Sequence, residues 1–360
     1  MKRRIGILTS GGDCPGLNAT IRGVAKACYH AMDDVEIIGI RDGYHGLIYG
    51  ESQVMQPSDF SGILTMGGTI LGTSRQPYKN MQVIGEDNVD KVKSMKENYK
   101  KMKLDCLLTL GGNGTHKTAA LLAREGLHVI GLPKTIDNDI WGTDVTFGFH
   151  TAVDIGTEVI DRIHTTASSH KRIMVVEIMG NKVGWLALYT GLAGGGDVIL
   201  LPEIPYDFES IMRAIERRAE NGRGFSIIVV AEGAMSRDEA KMKKKERARL
   251  RAETGDVTAT RRIAREIEQE GGFEARVVVP GHILRGGNPS AYDRVLATQF
   301  GVYAAQLIAK ERYGVTVALD DGKVCCNDLQ EIAGKTKFVP ADHQLITVGR
   351  DMGVSFGDEK

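Results

Sequence analysis

At 360 residues, 42% apolar and 26% charged, the chain exceeds one ordinary core and has the balance of a globular protein rather than a fibrous or disordered one. Its 46 Lys+Arg match 46 Asp+Glu, a formal net charge of +0 that argues against a bulk nucleic-acid binder but allows a local anion site. Five cysteines, Cys14, Cys28, Cys106, Cys325 and Cys326, include no pair at metal-ligand spacing and read as reduced thiols of a cytoplasmic protein, and no stretch approaches a membrane span or a signal-peptide core.

Residues 5–9 read as a buried strand, Ser10 to Gly16 as a glycine-rich turn, and about Asn18 to Met32 as a helix. Strand, glycine loop and helix in that order aim backbone N–H groups and a helix dipole at a phosphate. No Gly-Lys-Ser/Thr ends the loop, so it is not a Walker loop, and alone it is a weak signal. Val35 to Ile40 is the next strand. Gly62 to Arg75 is punctuated by glycine, and Arg75 sits among small residues, which suits an arginine reaching for an anion. A solvated surface arginine is the commoner case. Cys106 to Leu110 is followed by Gly111-Gly112-Asn113-Gly114-Thr115 and by a helix opening at about His116, which repeats the plan.

Val129 to Leu132 ends a further buried strand, stopped by Pro133, which donates no backbone hydrogen bond. Thr135, Asp137, Asn138 and Asp139 then crowd four polar side chains into five positions. Two acids two residues apart suit a division of labour between a general base and a partner for a metal ion or cation. The same composition suits an Asx-rich turn.

Residues 149–166 read as a helix with Val153, Ile160 and Ile163 among its apolar positions. Arg172 precedes a strand over 173–178 that ends in Met179-Gly180-Asn181, and further strands fall at 198–201, 225–230 and 276–279. Glu232 and His282 lie just past strand ends, where functional loops are expected. Alternating strands and helices predict an α/β fold of two doubly wound (Rossmann-like) domains with mostly parallel sheets. Residues 238–269 are rich in charge, with a basic cluster at Lys241, Lys243, Lys244, Lys245, Arg247, Arg249 and Arg251. They read as a solvated helical excursion; the length of the segment near a strand end makes a flap or subunit contact the next reading, ahead of an RNA or membrane contact, since no aromatic is interleaved to stack on a base.

Together, Gly11-Gly12-Asp13-Cys14-Pro15-Gly16-Leu17-Asn18-Ala19, Gly111 to Thr115 and Pro133-Lys134-Thr135-Ile136-Asp137-Asn138-Asp139 resemble the phosphofructokinase family. Met179-Gly180 and Gly281-His282-Ile283-Leu284-Arg285-Gly286-Gly287 continue the match, in the right order from residue 5 to about 310. The resemblance implies a phosphoryl-donor domain, 1–148 plus about 283–335, and a sugar-phosphate domain, 149–282 plus about 336–360. It implies phosphorylation of the 1-hydroxyl of fructose 6-phosphate in the cytoplasm, with neither nucleic acid nor membrane as partner. Asp137 takes the role of base, Thr135 positions it, and Asp139 with Asn113 lies near magnesium (Mg2+). The donor phosphates fall to Gly11, Gly12, Arg75, Gln76, Gly112, Asn113, Gly114 and Thr115, with Arg75 neutralising charge on the transferring group. The sugar phosphate falls to Thr135, Ile136, Asp137, Met179, Gly180, Asn181, Glu232, His282, Ile283, Leu284 and Arg285. Arg172 and Arg276 match two arginines that the family supplies from a neighbouring subunit, which implies a homotetramer or homodimer with shared active sites.

The chain departs from the family pattern at three positions. Asn113 stands where an aspartate usually helps hold magnesium, and an amide is the weaker ligand for a hard cation. Asn181 stands where many relatives have arginine. Lys134 replaces a glycine common in the bacterial ATP enzymes and is typical of pyrophosphate-dependent members. Gly114 most often marks ATP use, because an aspartate there narrows the adenosine space and repels the α-phosphate. The pair resembles the mixed-substrate ATP/pyrophosphate branch, with ATP favoured. A regulatory protein that has lost catalysis draws support only from Asn113 and Asn181. A dinucleotide-dependent oxidoreductase is disfavoured, because neither loop reads Gly-x-Gly-x-x-Gly.

Overall fold

A computed structural model describes residues 2–84 and 88–359. Its strands in chain order are β1 (Arg3–Ser10), β2 (Val35–Ile40), β3 (Ser52–Met55), β4 (Cys106–Gly111), β5 (Val129–Pro133), β6 (Ile173–Ile178), β7 (Val198–Leu200), β8 (Ser226–Ala231), β9 (Ala275–Val278), β10 (Val315–Asp320) and β11 (Lys323–Asp328). The chain divides into two units, Met1–Thr151 with Arg285–Lys337, and Ala152–Leu284 with Phe338–Lys360.

The first unit holds a seven-stranded sheet in the order β11-β10-β5-β4-β1-β2-β3. Its inner pairs are parallel, and only the outermost strands β3 and β11 run antiparallel. Every residue of β4 and β5 is buried, as expected of near-continuous apolar strands covered on both faces. From β1 the chain moves to β2 and β3 on one side, then returns to β4 on the other. That reversal is a switch point, where α/β sheets bind ligands beyond their carboxyl ends. Ser10 pairs in register with Gly111, and Gly111 with Pro133, so all three motif loops leave one edge.

Two features of this unit differ from the sequence expectation. The helix expected at about His116 is Asn113–Arg124 and opens three residues earlier. Gly-Asn-Gly-Thr has loop composition, but the first N–H groups of a helix need no intrahelical partner, so propensity is a weak guide there. The hairpin of β10 and β11 was not anticipated, although Asp321-Gly322 between them, at φ 46° and 72°, is the usual signal for a tight two-residue turn.

The second unit holds a four-stranded parallel sheet, β7-β8-β6-β9. Its charged segment forms three helices, Arg237–Lys241, Lys244–Thr254 and Ala259–Glu270. It is not wholly a solvated excursion. Ala259–Glu270 buries Ala259, Ile263, Ala264 and Ile267 in the core of this unit, at helical spacing. Arg251 and Arg262 both point inward onto Glu239, itself only 2% exposed, at 2.7 Å each. No helix among the described residues is long and apolar enough to cross a membrane.

Candidate active site

In the first unit, β1 runs into Gly11 at φ 84°, a backbone conformation that favours glycine. Gly11 donates its N–H to the Ser74 carbonyl at 3.1 Å, and the Thr73 hydroxyl donates to the Gly11 carbonyl at 2.6 Å. These bonds stitch the segment carrying exposed Arg75 and half-buried Gln76 to the glycine loop. A Cβ on Gly12 would lie 2.9 Å from Nη1 of Arg285, so the guanidinium rests against bare backbone. Lys134 donates to the Gly12 carbonyl from the opposite motif. Burial pushes the Lys134 ammonium below its ordinary pKa; Arg285 pushes the same way, while Asp137 and Asp13 oppose it. Two cations converging on N–H-rich backbone make a place for an anion.

The second glycine loop supplies the start of helix Asn113–Arg124. Gly112 has no side chain to cap that helix, which leaves first-turn N–H groups for a ligand. His116 anchors the turn from behind, with Nδ1 3.0 Å from the Gly112 carbonyl and Nε2 2.9 Å from the Thr316 hydroxyl. It is fully buried, and burial depresses its pKa to about 4, so it is neutral at pH 7. Nothing in the sequence marked it, because Thr316 lies 200 residues away.

The third loop bears the two acids. The Asp137 N–H donates to the Thr135 hydroxyl at 3.0 Å, and the Thr146 hydroxyl donates to the Thr135 carbonyl at 2.7 Å. Asp137 is 8% exposed. Asn138 is left-handed at φ 54°, and its side-chain Oδ1 accepts from the Thr146 N–H at 3.2 Å and from Lys337 Nζ at 2.9 Å. The local turn is thus of the Ser/Thr type, made by Thr135 rather than by an Asp or Asn, and it also presents carboxylates. Burial raises the pKa of Asp139, and a hydrogen bond from Asn113 Nδ2 at 2.9 Å opposes the rise. Asn113 Oδ1 is buried with no partner among the described residues. That orphaned oxygen next to a carboxylate fits a hard cation. The described residues hold no cluster of three or more His, Cys, Asp or Glu.

In the second unit, β6 and β8 end together, Ile178 opposite Ala231. Glu232 Oε1 accepts from the Asn181 N–H at 2.5 Å and the Gly180 N–H at 3.3 Å, so its carboxylate braces the Met179–Asn181 turn. His282 and Ile283 are exposed on the 3-10 turn Gly281–Arg285. Ile136 and Leu284 are fully buried, main chain included. Arg285 is grouped with the glycine loop of the first unit, its Nη1 3.4 Å from the Asp13 carbonyl.

Arg172 and Arg276 do not join Glu232 and Met179 within one chain. Arg172 precedes β6 and Met179 follows it, so six strand residues separate them by about 20 Å. Arg172 pairs with Glu274 at 2.8 Å, and Arg276 pairs with Glu274 and, at 3.1 Å, with Glu268.

The phosphofructokinase family model matches residues 4–308. An ATP-dependent 6-phosphofructokinase of Spirochaeta thermophila is 57% identical over 359 residues, covering 99% of this chain and 98% of that one. ATP-dependent 6-phosphofructokinase 3 of Bacteroides thetaiotaomicron is 49% identical, covering 98% of this chain and 100% of that one. The solved T-state phosphofructokinase of Pichia pastoris superposes with a TM-score of 0.78 at 30% identity; 99% of this chain is covered, but it spans only 37% of the yeast chain. The chain therefore belongs to the phosphofructokinase family.

Proposed function

We propose that this protein phosphorylates the 1-hydroxyl of fructose 6-phosphate with ATP, the step of glycolysis that yields fructose 1,6-bisphosphate. The observation that carries the reading is the edge of the first sheet, where buried Asp137 shares one line of strand ends with two N–H-rich glycine loops. The bacterial relatives carry the same activity in their names.

Phosphoryl transfer asks little covalent chemistry of a protein and much positioning and charge stabilisation. Backbone N–H groups of Gly11, Gly12 and Gly112 to Thr115 cradle the donor phosphates, with Arg75 and Gln76 alongside. Arg75 offsets charge developing on the transferring group. Glu232, Met179, Gly180 and Asn181 hold sugar hydroxyls, and His282 with Arg285 receives the 6-phosphate. Asp137 takes the proton as the 1-oxygen bonds to the γ-phosphorus; the bond to ADP breaks, and Asp137 then loses the proton to solvent. Magnesium, when held by Asp139 and Asn113, offsets negative charge on the donor phosphates. Five free thiols agree with a cytoplasmic setting.

Pyrophosphate as donor is the second reading, and Lys134 at Gly12 favours it. Gly114 separates the two. Apart from its own helix backbone and chain neighbours, no atom of the described residues lies within 4 Å of where its Cβ would be, so Gly114→Asp should fold normally. Its carboxylate is expected to lower kcat/KM for ATP about tenfold or more, the effect of ~1.4 kcal/mol, with less change for pyrophosphate. Rates of fructose 1,6-bisphosphate formation with each donor, for both proteins, test this; an equal loss with both would count against Gly114 as the discriminator.

The separation of Arg172 and Arg276 from Glu232 supports a homo-oligomer, a tetramer before a dimer, in which these arginines serve a partner's sugar-phosphate site. Inactive Asp137→Ser subunits mixed with inactive Arg172→Ala subunits should then recover activity. No recovery under conditions that demonstrably exchange subunits would refute shared sites.

A further inference from the structure

We propose that Lys337, beyond the residues matched by the family model, is a positioning residue for phosphoryl transfer: its ammonium holds the Asn138 turn and so aims Asp137 and Asp139. The inference rests on the function proposed above.

The turn needs holding. Asn138 lies between the two acids at φ 54°, a left-handed conformation that asparagine adopts more readily than most residues and that its side-chain bonds hold in place. Its side chain is tied to the following loop, with Nδ2 3.3 Å from the Asp144 carbonyl and Oδ1 accepting from Thr146. Lys337 closes the arrangement. Its Nζ donates to Asn138 Oδ1 at 2.9 Å and to the Thr143 and Asp144 carbonyls at 2.8 Å each. Those three bonds use every hydrogen of an ammonium. The main-chain N–H of the same residue donates to the Asp139 carbonyl at 2.9 Å. One residue therefore grips the acid-bearing turn at both Asn138 and Asp139.

The three oxygens that accept from Nζ are uncharged, and the Asp144 and Asp139 carboxylates nearby favour the ammonium form against its burial. A charged group in that place is costly to desolvate, and apolar packing would anchor a chain segment without that cost. What the ammonium adds is three fixed directions at the residue between the base and the acid assigned to magnesium. A displacement of the base by about 1 Å can cost about 100-fold in rate.

The test uses the full-length protein with fructose 6-phosphate, ATP and magnesium. Lys337→Met is expected to lower kcat about 10- to 100-fold with the KM for ATP within about twofold, since it leaves the donor loops intact. Lys337→Ala assayed with ethyl- or propylammonium should regain activity saturably, with tetramethylammonium inert because it donates no hydrogen bond. Wild-type protein in the same assay separates the two levels: its inactivity overturns the proposed function, whereas wild-type turnover equalled by Lys337→Met overturns only the role of Lys337. A loss that no alkylammonium reverses, or failure of both variants to fold, makes Lys337 a stability element and also overturns the proposal.

Discussion

Asp137→Ser is expected to lower kcat by about 100-fold or more while leaving the affinities for ATP and fructose 6-phosphate within a few-fold. A positioned carboxylate base contributes about 10²–10⁴ in rate. The expectation of intact binding comes from what the side chain leaves untouched. The turn is held by the Asp137 N–H on Thr135, by Thr146 on the Thr135 carbonyl, and by the bonds of Asn138. None of these uses the Asp137 carboxylate. Steady-state kinetics with direct binding measurements provide the check. A kcat loss below about tenfold removes Asp137 from the role of base, and a large loss of binding assigns it to substrate affinity instead.

Glu239→Ala is expected to destabilise the second unit by about 3–5 kcal/mol, the usual cost of stranding buried charge by removing its partner. Glu239 accepts from Arg251 and Arg262 at 2.7 Å each and from the Ser236 N–H at 3.0 Å. Arg262 also donates to the Tyr206 hydroxyl at 2.6 Å, and Arg251 to the Ala234 carbonyl at 2.9 Å. One carboxylate thus joins three helices to the loop that follows Glu232. Asp238 is the control: it is exposed and pairs with exposed Lys241, so Asp238→Ala should change stability by no more than about 0.5 kcal/mol. Denaturation followed by buried Trp185 in a Trp141→Phe background reads this unit. A loss below about 1 kcal/mol would mean the segment rests on apolar packing alone.

The same group carries a pH signature. Burial alone raises the Glu239 pKa, but hydrogen bonds from Arg262 and Arg251 outweigh it and bring the group to about 2 from an ordinary 4.5. A folded pKa below the unfolded one gives stability that is full above about pH 4.5 and lost as pH falls toward 2. The gap between wild type and Glu239→Ala should therefore narrow across that window.

The strand ends and their glycine loops were legible because each motif is local: an apolar run, a breaker and a polar cluster within a dozen residues. The placement of Asp137 just past a strand end was legible for the same reason. His116, Lys337 and Glu239 were not, because their roles are written in distant partners. Lys337 meets Asn138 across 199 residues, and His116 meets Thr316 across 200. The basic run of 241–251 misled in a different way. On a helix, like charges adjacent in sequence point in different directions, and only the tertiary fold turned Arg247 and Arg251 inward while leaving Arg249 exposed. The early opening of the helix at Asn113 was hidden because glycine and asparagine are poor helix formers, yet they are tolerated in a first turn, whose N–H groups have no intrahelical partner.

The open space around Gly114 has an evolutionary consequence. A residue that packs against nothing can be exchanged without refolding the protein around it. Under the donor assignment above, a lineage could move between phosphoryl donors by one base change in one codon, glycine to aspartate, with no compensating substitution in the core. Energy currency would then be a heritable setting that drifts freely, while the turn bearing Asp137, held by Thr146 and Lys337, stays fixed.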